Sequence, residues 1–340
     1  MSTAYYGTAR RLVFAYAVLT VTAAFVLLLS GGLVTSKGVG MTVPDWPNSY
    51  GYNMFLFPLS RWVGGIFYEH VHRLIASGVG LMTIFLALAL WMAEPRKWVR
   101  VLGYLAVAAV IVQGVLGGLR VTMILDELGI FHGMLAQAYI SLLVVIAVAT
   151  SKAFATGGAR WRWHAPGLMR WALALTVLVY LQLGLGATMR HEHAGLSIHD
   201  FPLAYGQVWP MVDAEQLAVI NAQRISSGEV PTTIGQITLQ MLHRTMAVVL
   251  AALFLVYAWK ARRAAMGVRL ASRWWLALVV VQIALGAWTV WSGKAADVTT
   301  AHVAVGALIL FLGVAQCFLL GVFSPRAAEL KRETAKLVHA

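Results

Sequence analysis

Eight apolar runs divide the sequence, at residues 13–35, 69–93, 98–119, 130–150, 168–189, 237–259, 272–292 and 300–322. Each is close to the ~20 residues that a helix needs to cross the hydrocarbon of a bilayer, so each predicts one membrane-spanning helix. Polar and apolar residues nowhere alternate at period two, which argues against the strands of a β-barrel. The first run follows Arg10 and Arg11 directly and is too long for the apolar region of a secretory signal, and no Arg/Ser-rich transit segment precedes it. Between the fifth and sixth runs lies a long polar stretch, 190–236, within which Asp213–Ser227 has the pattern of a short interfacial helix. The expected fold class is therefore all-α integral membrane, with eight transmembrane helices.

Composition agrees and narrows the function classes. Of the 340 residues, 60% are hydrophobic and 11% charged, against about 25% charged in soluble domains. A water-soluble globule and a disordered chain are both excluded. One cysteine excludes a disulfide framework and any metal site built from cysteines. The net charge of +13 would suggest nucleic acid in a soluble protein, but its distribution says otherwise. The N-terminus, the loops near 96, 160 and 265 and the tail carry 18 Lys/Arg with only Glu94, Glu329 and Glu333, a balance of +15; the other side balances at −2. This asymmetry predicts that both termini are cytoplasmic, and it needs no nucleic acid to explain it.

The runs contain a duplication. At an offset of 155, Gly40-Met-Thr-Val-Pro-Asp45-Trp-Pro47-Asn-Ser-Tyr50-Gly51 lies over Gly195-Leu-Ser-Ile-His-Asp200-Phe-Pro202-Leu-Ala-Tyr205-Gly206, with Gly31 over Gly186. At 171, Glu69-His-Val-His72-Arg73 lies over Gln240-Met-Leu-His243-Arg244, and at 170 His132 lies over His302. The third, fifth and seventh runs share Gln-x-x-Leu-Gly, at Gln113–Gly117, Gln182–Gly186 and Gln282–Gly286. Two pseudo-repeated four-helix bundles, residues 1–151 and 152–340, are expected, parallel because each half has an even number of helices.

The repeat places His72, His132, His243 and His302 at one position, near the outer end of each even-numbered helix. A single membrane histidine is most simply an interhelical hydrogen bond. Four at equivalent places suggest function, and neutral imidazole is an axial ligand of haem iron. The residue one turn on is small every time (Ala76, Ala136, Ala247, Gly306), which suits a flat porphyrin, although membrane helices favour small residues in any case. No Asp, Glu or Cys except Glu69 joins the four, which argues against zinc. Arg73, Arg244, Arg120 and Arg190, on the same side, could pair with propionates through their guanidinium forks or could simply snorkel. His191, Glu192, His193 and His199 in the long loop are read as a solvated segment before a metal site. His70 points away from both Glu69 and His72, His164 and His339 lie among cytoplasmic basic residues, and Cys317 has a packing role.

Together these residues resemble the haem A synthase family, the oxidase-assembly enzymes of bacteria and mitochondria. The resemblance spans the chain and rests on eight helices in two similar halves, a histidine on each even helix and the Glu69-x-x-His72-Arg73 motif. It implies oxidation of a methyl group of haem O to a formyl group. It also implies a haem b held by His243 and His302, with Arg244 and Arg190 beside it, and substrate haem received between His72 and His132, with Arg73 and Arg120. A multi-pass protein of the prokaryotic plasma membrane, with haem sites towards the outer face, is the corresponding location. The paired loop cysteines of some bacterial relatives are missing, so no role of theirs operates here.

Glu69 lies one turn before His72 on one helix face and is the candidate general base or proton shuttle; an ion pair with a neighbouring arginine is the plainer reading. Two rivals stand beside the synthase. A dihaem b-type electron-transfer cytochrome would place haems near both membrane faces, whereas these four histidines lie near one. A repeat-built transporter would need helices broken at mid-membrane, and Gly and Pro cluster at helix ends instead. The electron acceptor (a redox protein or a quinone), contact with haem O synthase and self-association into a homo-oligomer are left open by the residues.

Overall fold

The computed structural model describes residues 7–155 and 166–321. Arg160, Arg162, His164 and the tail residues Arg326, Glu329, Lys331, Arg332, Glu333, Lys336 and His339, which enter the charge argument, lie outside the described residues. The helices are α1 (Thr8–Ser36), α2 (Gly64–Ala93), α3 (Lys97–Thr122), α4 (Glu127–Thr150), the short α5 (Lys152–Ala155), α6 (Pro166–His191), α7 (Ala214–Ser226), α8 (Ile234–Ala261), α9 (Met266–Trp291) and α10 (Ala296–Leu319). All but α5 and α7 are long and apolar enough to cross a membrane, and these eight fall on the eight apolar runs. Most reach a few residues beyond their runs, because helical hydrogen bonding continues into polar residues at the ends. The interfacial helix expected at Asp213–Ser227 is α7, with the Asp213 carboxylate accepting from the Gln216 amide.

Helix ends follow local chemistry. α8 opens with a capping box, in which Thr233 and Gln236 satisfy each other's backbone amides. α2 stops at Glu94-Pro95, since proline disfavours helix in the residue before it. The buried Glu94 carboxylate there takes Arg96 at 2.7 Å and lies 3.6 Å from Arg10.

Packing groups the spans by fours. α1 packs on α2 and α4, and α3 on the same two; α6 packs on α8 and α10, and α9 on the same two. In each group α2 and α4, or α8 and α10, are therefore diagonal neighbours. Contacts of α1 with α10, α4 with α10 and α4 with α6 join the groups, so α10 is the most buried span. Close approach there depends on Gly313, where a Cβ would come 2.6 Å from Trp275 and from Thr176. The Trp275 indole donates to Ile309 O at 2.8 Å. Large apolar side chains such as Leu12, Leu81, Met92 and Val248 stay exposed on the spans, as lipid contact requires, because lipid tails offer no hydrophobic penalty.

Candidate functional site

Each of the four repeated histidines rests on a glycine of a neighbouring span. A Cβ at Gly31 of α1 would come 2.9 Å from His72 Cε1; the corresponding distances are 3.3 Å for Gly117 and His132, 3.2 Å for Gly186 and His243, and 3.1 Å for Gly286 and His302. A Cβ at any of the four would crowd the ring, and glycine lets it lie close to the adjacent backbone. The Gln-x-x-Leu-Gly signature acquires a role here: glutamine and glycine are one turn apart on one face, and both address the same histidine. Gln113 Nε2 donates to His132 O at 3.1 Å and Gln182 Nε2 to His243 O at 2.9 Å, while Gln282 Nε2 lies 3.3 Å from His302 Nε2. The glutamines fix the register of the histidine helix, and the glycines make room for the ring.

The four rings stand on diagonal helices, His72 and His132 on α2 and α4, His243 and His302 on α8 and α10. All four keep Nδ1 buried without a hydrogen-bond partner. An unmade hydrogen bond on a buried nitrogen costs roughly 1–3 kcal/mol, and the unpartnered nitrogen recurs at four equivalent places. Two imidazoles on diagonal helices, flanked by glycine and by the small residues Ala76, Ala136, Ala247 and Gly306, suit a flat ligand clamped from both faces. The residues thus fit two bis-histidine haem sites.

Beside each histidine pair a loop is pinned by matching bonds. Asp45 accepts from the Tyr50 and Gly51 amides, both at 2.7 Å, and Asp200 from Tyr205 and Gly206 at 2.8 and 2.9 Å. These bonds require left-handed backbone at Tyr50, Gly51, Tyr205 and Gly206. Burial alone would raise the Asp45 and Asp200 carboxyls. The amide donors, with Arg73 and Arg244 nearby, hold both below the usual range instead. The Trp46 indole lies against Gly118, next to the His132 glycine, and its counterpart Phe201 lies against Trp291 of α9 with ring centroids 6.0 Å apart. Each loop therefore reaches from the even helix across to the odd one.

Glu69 and Gln240 perform the same task in their loops. Glu69 Oε2 accepts from Val43 N at 2.9 Å, and Gln240 Oε1 from Ile198 N at 2.8 Å. The first half adds an ion pair, Arg73 Nη2 to Glu69 Oε1 at 2.7 Å, with Glu69 only 3% exposed. Arg73 also donates to the carbonyls of Val43, Asp45 and Asn48 at 2.7, 2.6 and 3.1 Å. Arg244 donates to Leu203 O and Ile198 O at 3.0 and 3.3 Å. Any carboxylate that meets these arginines competes with loop carbonyls.

Arg120 Nη2 pairs with Asp126 at 3.1 Å and its side chain lies against Gly40. Arg190, expected inside the second pocket, reaches across the seam to α1, where Nη2 donates to Gly32 O at 2.6 Å and Ser36 Oγ at 2.7 Å. His191 and His193 each lie 3.9 Å from Asp126, and His199 lies 3.3 Å from Glu229. Cys317 is buried with its Sγ 3.4 Å from Thr176 Oγ1. His70 is fully buried between the rings of Phe57 and Trp62, with Nδ1 3.1 Å from Ser49 Oγ.

Residues 14–314 match the profile of the cytochrome oxidase assembly protein family. The chain belongs to that family. Among curated relatives, one from Shouchella clausii is 27% identical over 70% of this chain and 72% of its own length. One from Novosphingobium aromaticivorans is 31% identical over 75% of this chain and 72% of its own. One from Alkalihalophilus pseudofirmus is 29% identical, but the match covers 57% of this chain and 65%, just under two thirds, of that relative. Each of the three is named haem A synthase.

Proposed function

We propose that this family member is a haem A synthase, an oxidoreductase that converts a methyl group of haem O into the formyl group of haem A for terminal oxidases. The observation that carries the reading is the paired architecture: two diagonal histidine pairs, each ring on a glycine cradle with a buried, unpartnered Nδ1, in a chain whose curated relatives bear that name.

The reading divides the chain into residues 1–151, which take substrate haem between His72 and His132, and residues 152–340, which hold a haem b through His243 and His302. A bound haem b supplies one-electron chemistry at its iron. The protein's own residues orient and exclude. The histidine pairs would hold the haems, the Asp45 and Asp200 loops would cover them, and Arg120, Arg73, Arg244 and Arg190 would supply positive charge for the propionates.

Glu69 is the base for the protons released when a methyl becomes an aldehyde. For this, Arg73 Nη2 must leave Glu69 Oε1 while keeping Val43 O, its other acceptor at 2.7 Å, so that the carboxylate oxygen is open to a proton. A second reading, in which Glu69 only clips the loop, is favoured by the ion pair itself and by Gln240, which does the same job without a charge. The protein works in a prokaryotic plasma membrane with both termini cytoplasmic and passes electrons to a redox protein or a quinone. Contact with haem O synthase and homo-oligomer formation fit a chain surrounded by lipid.

The test is conversion. Membranes of a host that makes haem O but lacks haem A should acquire haem A, resolved by chromatography of extracted pigments, when this chain is expressed. A host that accumulates haem O and shows only haem b bound to the chain would favour the dihaem b-type cytochrome.

A further inference from the structure

Lys294 belongs to none of the groups above. It lies in the turn Ser292–Ala295 between α9 and α10, outside both spans. Its backbone is left-handed (φ 66°), and its amide donates to Thr289 O at 2.8 Å. The side chain runs along the second outer loop: Cδ, Cε and Nζ lie 3.4, 3.5 and 3.7 Å from the position a Cβ would take on Gly195. Gly195 O accepts from Gln240, so the amine rests on the loop that covers the His243 pocket. Among the described residues no carboxylate lies within 4 Å of this ammonium.

Its charged neighbour is another cation, Arg190, which in turn has Arg120 near it. Among the described residues the acid paired in this group is Asp126, held by Arg120. Burial and Arg190 both push the Lys294 amine below its ordinary value. Arg190 commits Nη2 alone to protein acceptors. It lies one turn, roughly 6 Å along the axis, beyond Gly186, the glycine under His243. Lys294 lies at the same end, where the chain enters the helix of His302.

We propose that Lys294 and Arg190 form the carboxylate seat of the second histidine pocket, holding the propionates of the haem ligated by His243 and His302. The inference rests on the haem reading above and deepens it. The corresponding turn of the first half, Met123 to Asp126, also passes through left-handed backbone, at Ile124, so the turn itself does not call for a lysine. It carries exposed Ile124 and Leu125 instead. The half that keeps its haem has the additional cation, and the half that must release its product does not.

The experiment uses the purified full chain with its co-purified haem. Two quantities are read for wild type, Lys294→Met, Lys294→Arg and His302→Ala: the midpoint potential of the low-spin haem, and the rate of haem transfer to excess apomyoglobin. Lys294→Met should release haem about tenfold faster, the scale of one charge-assisted hydrogen bond. Its potential should fall, because removing a cation favours ferric iron, and Lys294→Arg should stay near wild type. Unchanged release and potential in Lys294→Met, with haem lost from His302→Ala, would overturn the carboxylate seat alone. Loss of bound phospholipid with unchanged haem release would also overturn it and assign the pair to a lipid headgroup. A His302→Ala protein that retained its low-spin haem would overturn the haem reading and this inference with it.

Discussion

Replacing Glu69 with glutamine separates the two roles open to that residue, and the second half supplies the expected structure of the variant. Gln240 shows how an amide fits the position: Oε1 accepts from the loop amide at 2.8 Å, and Nε2 donates to Ile198 O and Gly195 O, each at 3.2 Å. The Glu69→Gln side chain can likewise keep Val43 N and donate to Val43 O. What is lost is the 2.7 Å bond from Arg73, which retains three carbonyl acceptors. Removing one partner of a buried ion pair can cost 3–5 kcal/mol when the other is stranded. Here Arg73 is not stranded, so about 1–2 kcal/mol is expected, the low end for hydrogen bonds to charged groups. A membrane bundle tolerates this, and the resident haem spectrum should be unchanged. Haem A formed per folded molecule should nevertheless fall about 10²-fold or more, the scale of a lost acid–base group, because an amide accepts no proton near neutral pH. The assay is chromatography of extracted haems, normalised to low-spin haem absorbance. Near-normal haem A from Glu69→Gln would refute the base and leave Glu69 as a loop clip. Gln240→Glu should create no activity in the second pocket.

Other expectations follow from the same contacts. Gly286→Val should displace His302 and remove resident haem, whereas Gly117→Val should spare it and block substrate conversion; pigment analysis reads both. Gly313→Ala drives a methyl to 2.6 Å from Trp275 and Thr176 and should lower thermal stability by about 1–3 kcal/mol. Asp45 and Asp200 have folded values below their unfolded ones. Their contribution is therefore complete above about pH 4, the unfolded value, and is lost as pH falls through the folded values. Hydrogen-exchange protection at Tyr50 and Gly51, taken relative to the intrinsic rate at each pH, should fall in acid, and Asp45→Asn should abolish that dependence. Single cysteines at positions 160 and 210, on a Cys317→Ser background, should label from opposite faces of the membrane; labelling of both from outside would overturn the orientation.

The spans were legible because lipid leaves few choices: an apolar run of the right length can satisfy its backbone only as a helix. Repetition made the four histidines legible, since one alone would have been unremarkable beside an ordinary hydrogen bond. The Gln-x-x-Leu-Gly signature was visible but mute, because the glycine's purpose lies on a different helix, at His132, His243 or His302. Arg73 and Arg244 read as cations that pair with propionates or snorkel; their carbonyl partners were hidden because they belong to loops whose path depends on Asp45 and Asp200 holding left-handed turns. Arg190 has a partner that the sequence hides for a related reason. Periodicity gives its side of α6 but not that α1 packs near enough to offer Gly32 O. Lys294 carried no signal at all, being a single lysine in a four-residue turn.

The central claim, two histidine-paired sites with separate duties, is tested most directly by the absorption spectrum and extracted pigments of four alanine variants. His243→Ala and His302→Ala should each lose most of the resident low-spin haem b from otherwise folded protein. His72→Ala and His132→Ala should keep that haem and lose haem A formation. Retention of a wild-type low-spin spectrum by both His243→Ala and His302→Ala would contradict the account.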